Sequence, residues 1–190
     1  MGTLNDHTGV QENNGGRIVK EITISKLAIN VFAVFATLII FALFLAAWKM
    51  LWNMPYKRGI LKQTYLFILL SFPVHELIHA LGFWLFGNIP WSKIKFGFVP
   101  KLVAFYANPL YPLSKTAYLW SGALPGLTIG IVPLLLGFII GSMPLSFIGL
   151  ISVMASTGDL FVIWTLRGVA SNQSVLEHAD QCHFSIIEKS

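Results

Sequence analysis

Apolar positions in this chain come in long uninterrupted blocks, with the polar positions gathered between them. Residues 27–48 carry no charge and are closed by Lys26 and Lys49. As a helix such a run is about 33 Å long, enough to cross the apolar core of a bilayer. A second apolar run covers residues 63–86, and a third stretch, residues 116–158, contains no charged side chain. Gly141-Ser142-Met143-Pro144 interrupts the third stretch, which therefore reads as a tight helical hairpin. One span ends near Ile140; the next starts near Leu145 and runs to about Leu166, with Arg167 behind it. The fold class expected is an all-α multi-pass membrane protein with about four transmembrane helices.

Between the second and third spans the pattern changes. Lys93-Ile94-Lys95-Phe96-Gly97-Phe98 alternates polar and apolar with the period of a strand, and residues 101–106 read as a second short strand after Val99-Pro100. A β-hairpin is expected there, followed by breaks at Asn108-Pro109 and Tyr111-Pro112, with Ser114 as cap of the next helix. Pro73 should bend the second span close to its centre. The ends are polar, which divides the chain into a mobile tail over residues 1–25, a membrane-embedded unit over 26–168 and a C-terminal tail over 169–190.

Composition agrees with that division. The 190 residues are 55% hydrophobic and only 11% charged, with a mean hydropathy of +0.71. A soluble domain keeps about a quarter of its residues charged. The net charge of +5 is spread over the ends of the apolar runs, so it speaks for topology and lipid headgroups rather than nucleic acid. With the N-terminus inside, nine Lys and Arg lie on the cytoplasmic side (residues 17, 20, 26, 93, 95, 101, 115, 167 and 189) and four outside (49, 57, 58 and 62). That count favours cytoplasmic termini in a cell membrane. The single Cys182 allows no internal disulfide framework.

Chemistry is concentrated in the second span, at His75-Glu76-Leu77-Ile78-His79. Residues four apart on a helix lie on one face about one turn apart, so His75 and His79 can share one tetrahedral zinc. Glu76, on a neighbouring stripe, is placed to act as general base. Ser71, His75, His79 and Gly82 form a small or polar face suited to packing against protein rather than lipid.

Between Glu21 and Glu177 the only acidic residues are Glu76 and Asp159, and between His7 and His178 the only histidines are His75 and His79. A catalytic zinc takes three protein ligands. A histidine six residues after His79 would complete the long protease form of the motif, but that position is Leu85, and Glu177 and Glu188 fall in the tail. Elimination leaves Asp159 as third ligand, at a depth matching His79. The competing reading pairs Asp159 with a lysine or a helix backbone, because a lone mid-span carboxylate needs some partner. For the oxyanion the candidates are Ser152, Ser156 and Thr157. His178, Cys182 and His183 read as ordinary tail residues rather than a second metal site.

Residues 75–82, Pro112-Leu113-Ser114-Lys115 and Ser156-Thr157-Gly158-Asp159-Leu160 resemble a family of small, mostly bacterial membrane proteins described as zincin peptidases. The arrangement is also similar to intramembrane metalloproteases of the site-2-protease class, although Gly158-Asp159-Leu160 departs from that class's Leu-Asp-Gly. The resemblance implies a membrane-embedded zinc peptidase acting on a membrane or membrane-proximal polypeptide, and an edge strand of the hairpin suits an extended substrate. Three other uses of the same residues stay open: a proton- or ion-coupled transporter, a haem carrier with His75 or His79 as axial ligand, and a zinc-binding pseudoenzyme.

Overall fold

The computed structural model describes residues 16–52, 61–99, 104–178 and 182–189. Strand β1 (Gly16–Thr23) leads into helix α1 (Lys26–Trp52), and α2 (Leu61–Gly87) follows. A short turn at Trp91–Lys93 opens β2 (Ile94–Val99), then β3 (Ala104–Pro109) and the two-residue β4 (Leu113–Ser114). Helix α3 (Lys115–Pro125) continues through a π-helical stretch (Gly126–Ile131) into α4 (Val132–Ile140). Helices α5 (Met143–Ala155) and α6 (Thr157–Leu166) precede β5 (Gln173–Glu177) and β6 (His183–Lys189).

Among the described residues, three helices, Lys26–Trp52, Thr64–Gly87 and Lys115–Ile140, are long and apolar enough to cross a membrane, and α5 with α6 makes a fourth if counted as one span. That last pair is bent by 42° at Ser156, where a continuous span was expected. Large apolar side chains stand outward on these helices, among them Leu27, Phe35, Leu69, Leu135 and Ile139. Such a surface needs lipid or a partner to cover it. Helix α2 runs unbroken through Pro73 and stops at Gly87, where Asn88 takes a left-handed backbone with φ of 52°. Ser114 caps α3 as expected, its Oγ accepting from the Ala117 amide.

The described residues are mostly helical and add two sheets, the first in the segment where a hairpin was expected. β2 and β3 pair antiparallel from Ile94↔Pro109 to Val99↔Ala104. The break expected at Asn108-Pro109 is instead the end of β3, where a residue without an N–H is tolerated. Residues 100–103, which hold most of the expected second strand's start, lie outside the described residues.

The second sheet was not foreseen. Its order is β1-β6-β5-β4, all antiparallel, so it joins the segment before α1, the segment before α3 and the segment after α6. Part of the expected N-terminal tail (Gly16–Thr23) and most of the expected C-terminal tail are therefore strand. The reason is local: Phe184, Ile186 and Ile187 on β6 are buried, as is Val175 on β5. They join Ala80, Phe83, Ala117, Tyr118 and Leu166 in one core at the end of the helices. A separate apolar cluster of Phe44, Trp48 and Leu150 ties α1 to α5, away from the sheet.

Candidate metal centre

His75 and His79 are buried on α2, which packs against α3 and α5, and Asp159 of α6 reaches both imidazoles. The approach of α2 to α3 depends on Gly82, since a Cβ there would lie 2.7 Å from Ser121 Cα. With the helices this close, His79 Nδ1 reaches the carbonyl oxygen of Ser121 at 2.9 Å. A carbonyl only accepts, so Nδ1 carries the hydrogen and Nε2 presents its lone pair.

Three donor atoms converge in front of that lone pair. His75 Nε2 lies 3.1 Å from His79 Nε2. Asp159, in the first turn of α6, places Oδ2 at 3.1 Å from His75 Nε2 and Oδ1 at 3.5 Å from His79 Nε2. Zinc with arms of about 2.0–2.1 Å has ligand atoms about 3.3–3.4 Å apart at the corners of its tetrahedron. The separations, taken over both Asp159 oxygens, lie near that value, so the donor set fits zinc in chemistry and in approximate spacing. His75 Nδ1 is buried with no hydrogen-bond partner among the described residues.

Glu76 belongs to the same neighbourhood, since His75, Glu76 and His79 offer ligand atoms within 4.8 Å of one another. Its carboxylate has another engagement, however: Oε2 accepts from the Ala107 amide of β3 at 2.9 Å. The carboxylate that reaches both imidazoles is that of Asp159.

A cavity of about 540 Å³ opens beside these groups, lined by Glu76, His79 and Asp159, by apolar Ile29, Phe83, Phe105, Val162 and Ile163, and by Tyr118 and Glu177. The last two were not anticipated. Tyr118 donates to Glu177 Oε2 at 2.8 Å. Burial pushes the Glu177 carboxyl up to about 7, against the lowering effect of the Tyr118 hydrogen bond. Placing residues 169–190 in a tail hid Glu177; only the pairing of β5 with β4 and β6 brings it to the cavity.

The oxyanion candidates do not fit. Ser152, Ser156 and Thr157 are buried and donate to Ile148, Ser152 and Met154 carbonyls of their own helical segments. His178 and His183 stack edge to face with centroids 4.7 Å apart. His178 Nε2 meets Ser185 Oγ at 2.8 Å, and His183 Nε2 stands 3.8 Å from Glu21 Oε2. Those contacts account for the pair as links within the sheet.

No curated protein and no solved structure matches this chain. A family model described as "Putative zincin peptidase" matches residues 68–173, a segment that holds most of α2, the hairpin, α3 and Asp159. That match covers more than half of the sequence, and the chain belongs to this zincin peptidase family.

Proposed function

We propose that the protein is a membrane-embedded zinc metalloendopeptidase in which His75, His79 and Asp159 hold the metal and Glu76 is the general base. The observation that carries this reading is the convergence of His75 Nε2, His79 Nε2 and the Asp159 carboxylate within 3.1–3.5 Å of one another, with Glu76 one residue from a ligand. A zinc held by these residues would polarise the scissile carbonyl and lower the pKa of a water towards ~7. Glu76 takes the proton as the water oxygen bonds to the carbonyl carbon, and returns it to the amine as the C–N bond breaks. Because Oε2 is held by the Ala107 amide, Oε1 is left for that proton.

The hairpin supports an extended substrate. Ala107 points its N–H away from β2, and strand groups repeat every second residue, so Phe105 presents its backbone on the same edge. Phe105 and Ala107 both line the cavity, where a polypeptide can add to β3 by backbone pairing. The apolar helices suit a bilayer setting, and the one sheet joining β1, β4, β5 and β6 favours placing these segments on a single side, which the lysine and arginine count makes cytoplasmic. The substrate class is then a membrane or membrane-proximal polypeptide, as in site-2-type proteases.

The test separates holding a metal from using it. Glu76→Gln keeps the shape and removes the basicity, so zinc content should be unchanged while turnover falls about 10²-fold or more. Membrane proteomes of cells carrying the wild type and Glu76→Gln at matched expression should differ by at least one cut polypeptide. Loss of zinc in the variant would make Glu76 a ligand; retained zinc with no differing fragment would leave a binding protein, not a peptidase.

A further inference from the structure

We infer that the Tyr118 hydroxyl is the hydrogen-bond donor to the substrate's carbonyl oxygen, and that Glu177 is the residue that positions it. The inference rests on the zinc peptidase reading and extends it to two residues outside the zinc motif, one of them, Glu177, beyond the segment matched by the family model.

Hydrolysis places negative charge on the carbonyl oxygen, and a pre-aimed donor in a water-poor site stabilises that charge strongly. Besides His79 and the weakly donating thiol of Cys182, the lining side chains able to donate are Lys26, Asn30, Tyr106 and Tyr118. Lys26 and Asn30 are exposed near the start of α1. The Tyr106 ring lies against Gly97 across the hairpin, its hydroxyl among the atoms nearest that residue. Tyr118 alone of the four is buried. It stands three residues before Ser121, the partner of His79, hence on the same face of α3 about 4.5 Å along its axis. The face of Tyr118 is fixed by Phe184, edge to face at 6.1 Å.

One hydroxyl hydrogen cannot serve two acceptors. With Glu177 ionised, that hydrogen goes to Oε2. With Glu177 protonated, the carboxyl donates to the phenol oxygen, and the Tyr118 hydrogen is released for the substrate. Burial, which holds this carboxyl near 7, keeps the neutral form accessible. The groups facing it are Tyr118 on α3, Glu76 and His79 on α2 and Asp159 on α6, with Lys26 of α1 on the same cavity.

Two probes with leucine side chains suit the apolar walls: a capped peptide phosphonamidate, whose tetrahedral oxygens mimic the charged intermediate, and a matching peptide thiol, which binds zinc without an oxygen for Tyr118. Both are titrated against the zinc-loaded full chain in phosphatidylcholine vesicles. Tyr118→Phe should weaken the phosphonamidate about 10–10²-fold while zinc content and thiol affinity stay unchanged. Phosphonamidate affinity of the wild type should fall as pH rises through the Glu177 titration. Glu177→Gln, whose amide donates to the phenol at every pH, should abolish that fall. Unchanged phosphonamidate affinity in Tyr118→Phe overturns the assignment of Tyr118, as does a joint loss of zinc and of both probes. A pH dependence that persists in Glu177→Gln overturns the role of Glu177. If neither probe binds the zinc-loaded wild type, the peptidase reading itself fails.

Discussion

His79 Nδ1 donates to the carbonyl oxygen of Ser121 at 2.9 Å, which fixes the imidazole tautomer through the backbone of a neighbouring helix rather than through a side chain. No substitution at Ser121 removes that acceptor; only moving the helix does. Gly82→Ala should do so, because the added Cβ would fall 2.7 Å from Ser121 Cα. Overpacking of this kind costs about 1–3 kcal/mol. Loss of an outer partner of a ligating histidine lowers metal affinity about 10–100-fold. Competition between purified Gly82→Ala protein and a zinc chelator should show a weakening in that range; wild-type affinity would mean the carbonyl is dispensable.

Metal analysis of the purified chain should give about one zinc per molecule. His75→Ala, His79→Ala and Asp159→Ala should each lose it or bind it far more weakly, since each removes one of three mutually close donors. Full occupancy in Asp159→Ala would take that carboxylate out of the metal shell and reduce its role to an ion pair with the two histidines.

The side of the membrane is open to a labelling experiment. In a Cys182→Ser background, cysteines at Lys95 and Gln173 should be shielded from an impermeant thiol reagent in intact cells, and one at Ser142, between α4 and α5, should react. The opposite pattern would put the sheet and the cavity mouth outside and redirect the search for substrates.

Glu177 should make the docking of β5 depend on pH. Its folded value of about 7 lies above the ordinary 4.5, so the folded chain binds the extra proton between those values. The stabilising contribution is complete below about 4.5 and is lost as pH rises through about 7. Hydrogen exchange of the β5 amides, corrected for intrinsic rate, should report looser protection above neutrality in the wild type. Glu177→Gln should remove the trend.

How much of this could be read from the residues differs from element to element. The apolar runs were legible because a bilayer imposes length and composition on a helix. The meeting of His75, His79 and Asp159 was legible because helical spacing alone brings the two histidines together, and because Asp159 was isolated in a charge-free stretch. The bend at Ser156 left no sign, since small residues in a span permit a kink without demanding one. Tyr118 and Glu177 were hidden for another reason. Each is ordinary in its own segment, and only pairing between strands far apart in sequence gives them a common cavity. Short strands such as β5 carry too few alternating positions to stand out from a polar tail.

Strand pairing also sets an order on the assembly of this chain. Gly16 lies opposite Lys189, so the first described strand finds its partner only after the last has been made. Asp159 follows His75 by 84 positions, and Glu177 arrives later still. During synthesis the two histidines are thus made well before the carboxylate that meets them. Contacts of such long sequence separation form late in folding. The newly made chain therefore passes through a stage in which α2 has been made but Asp159 and the closing strand β6 have not.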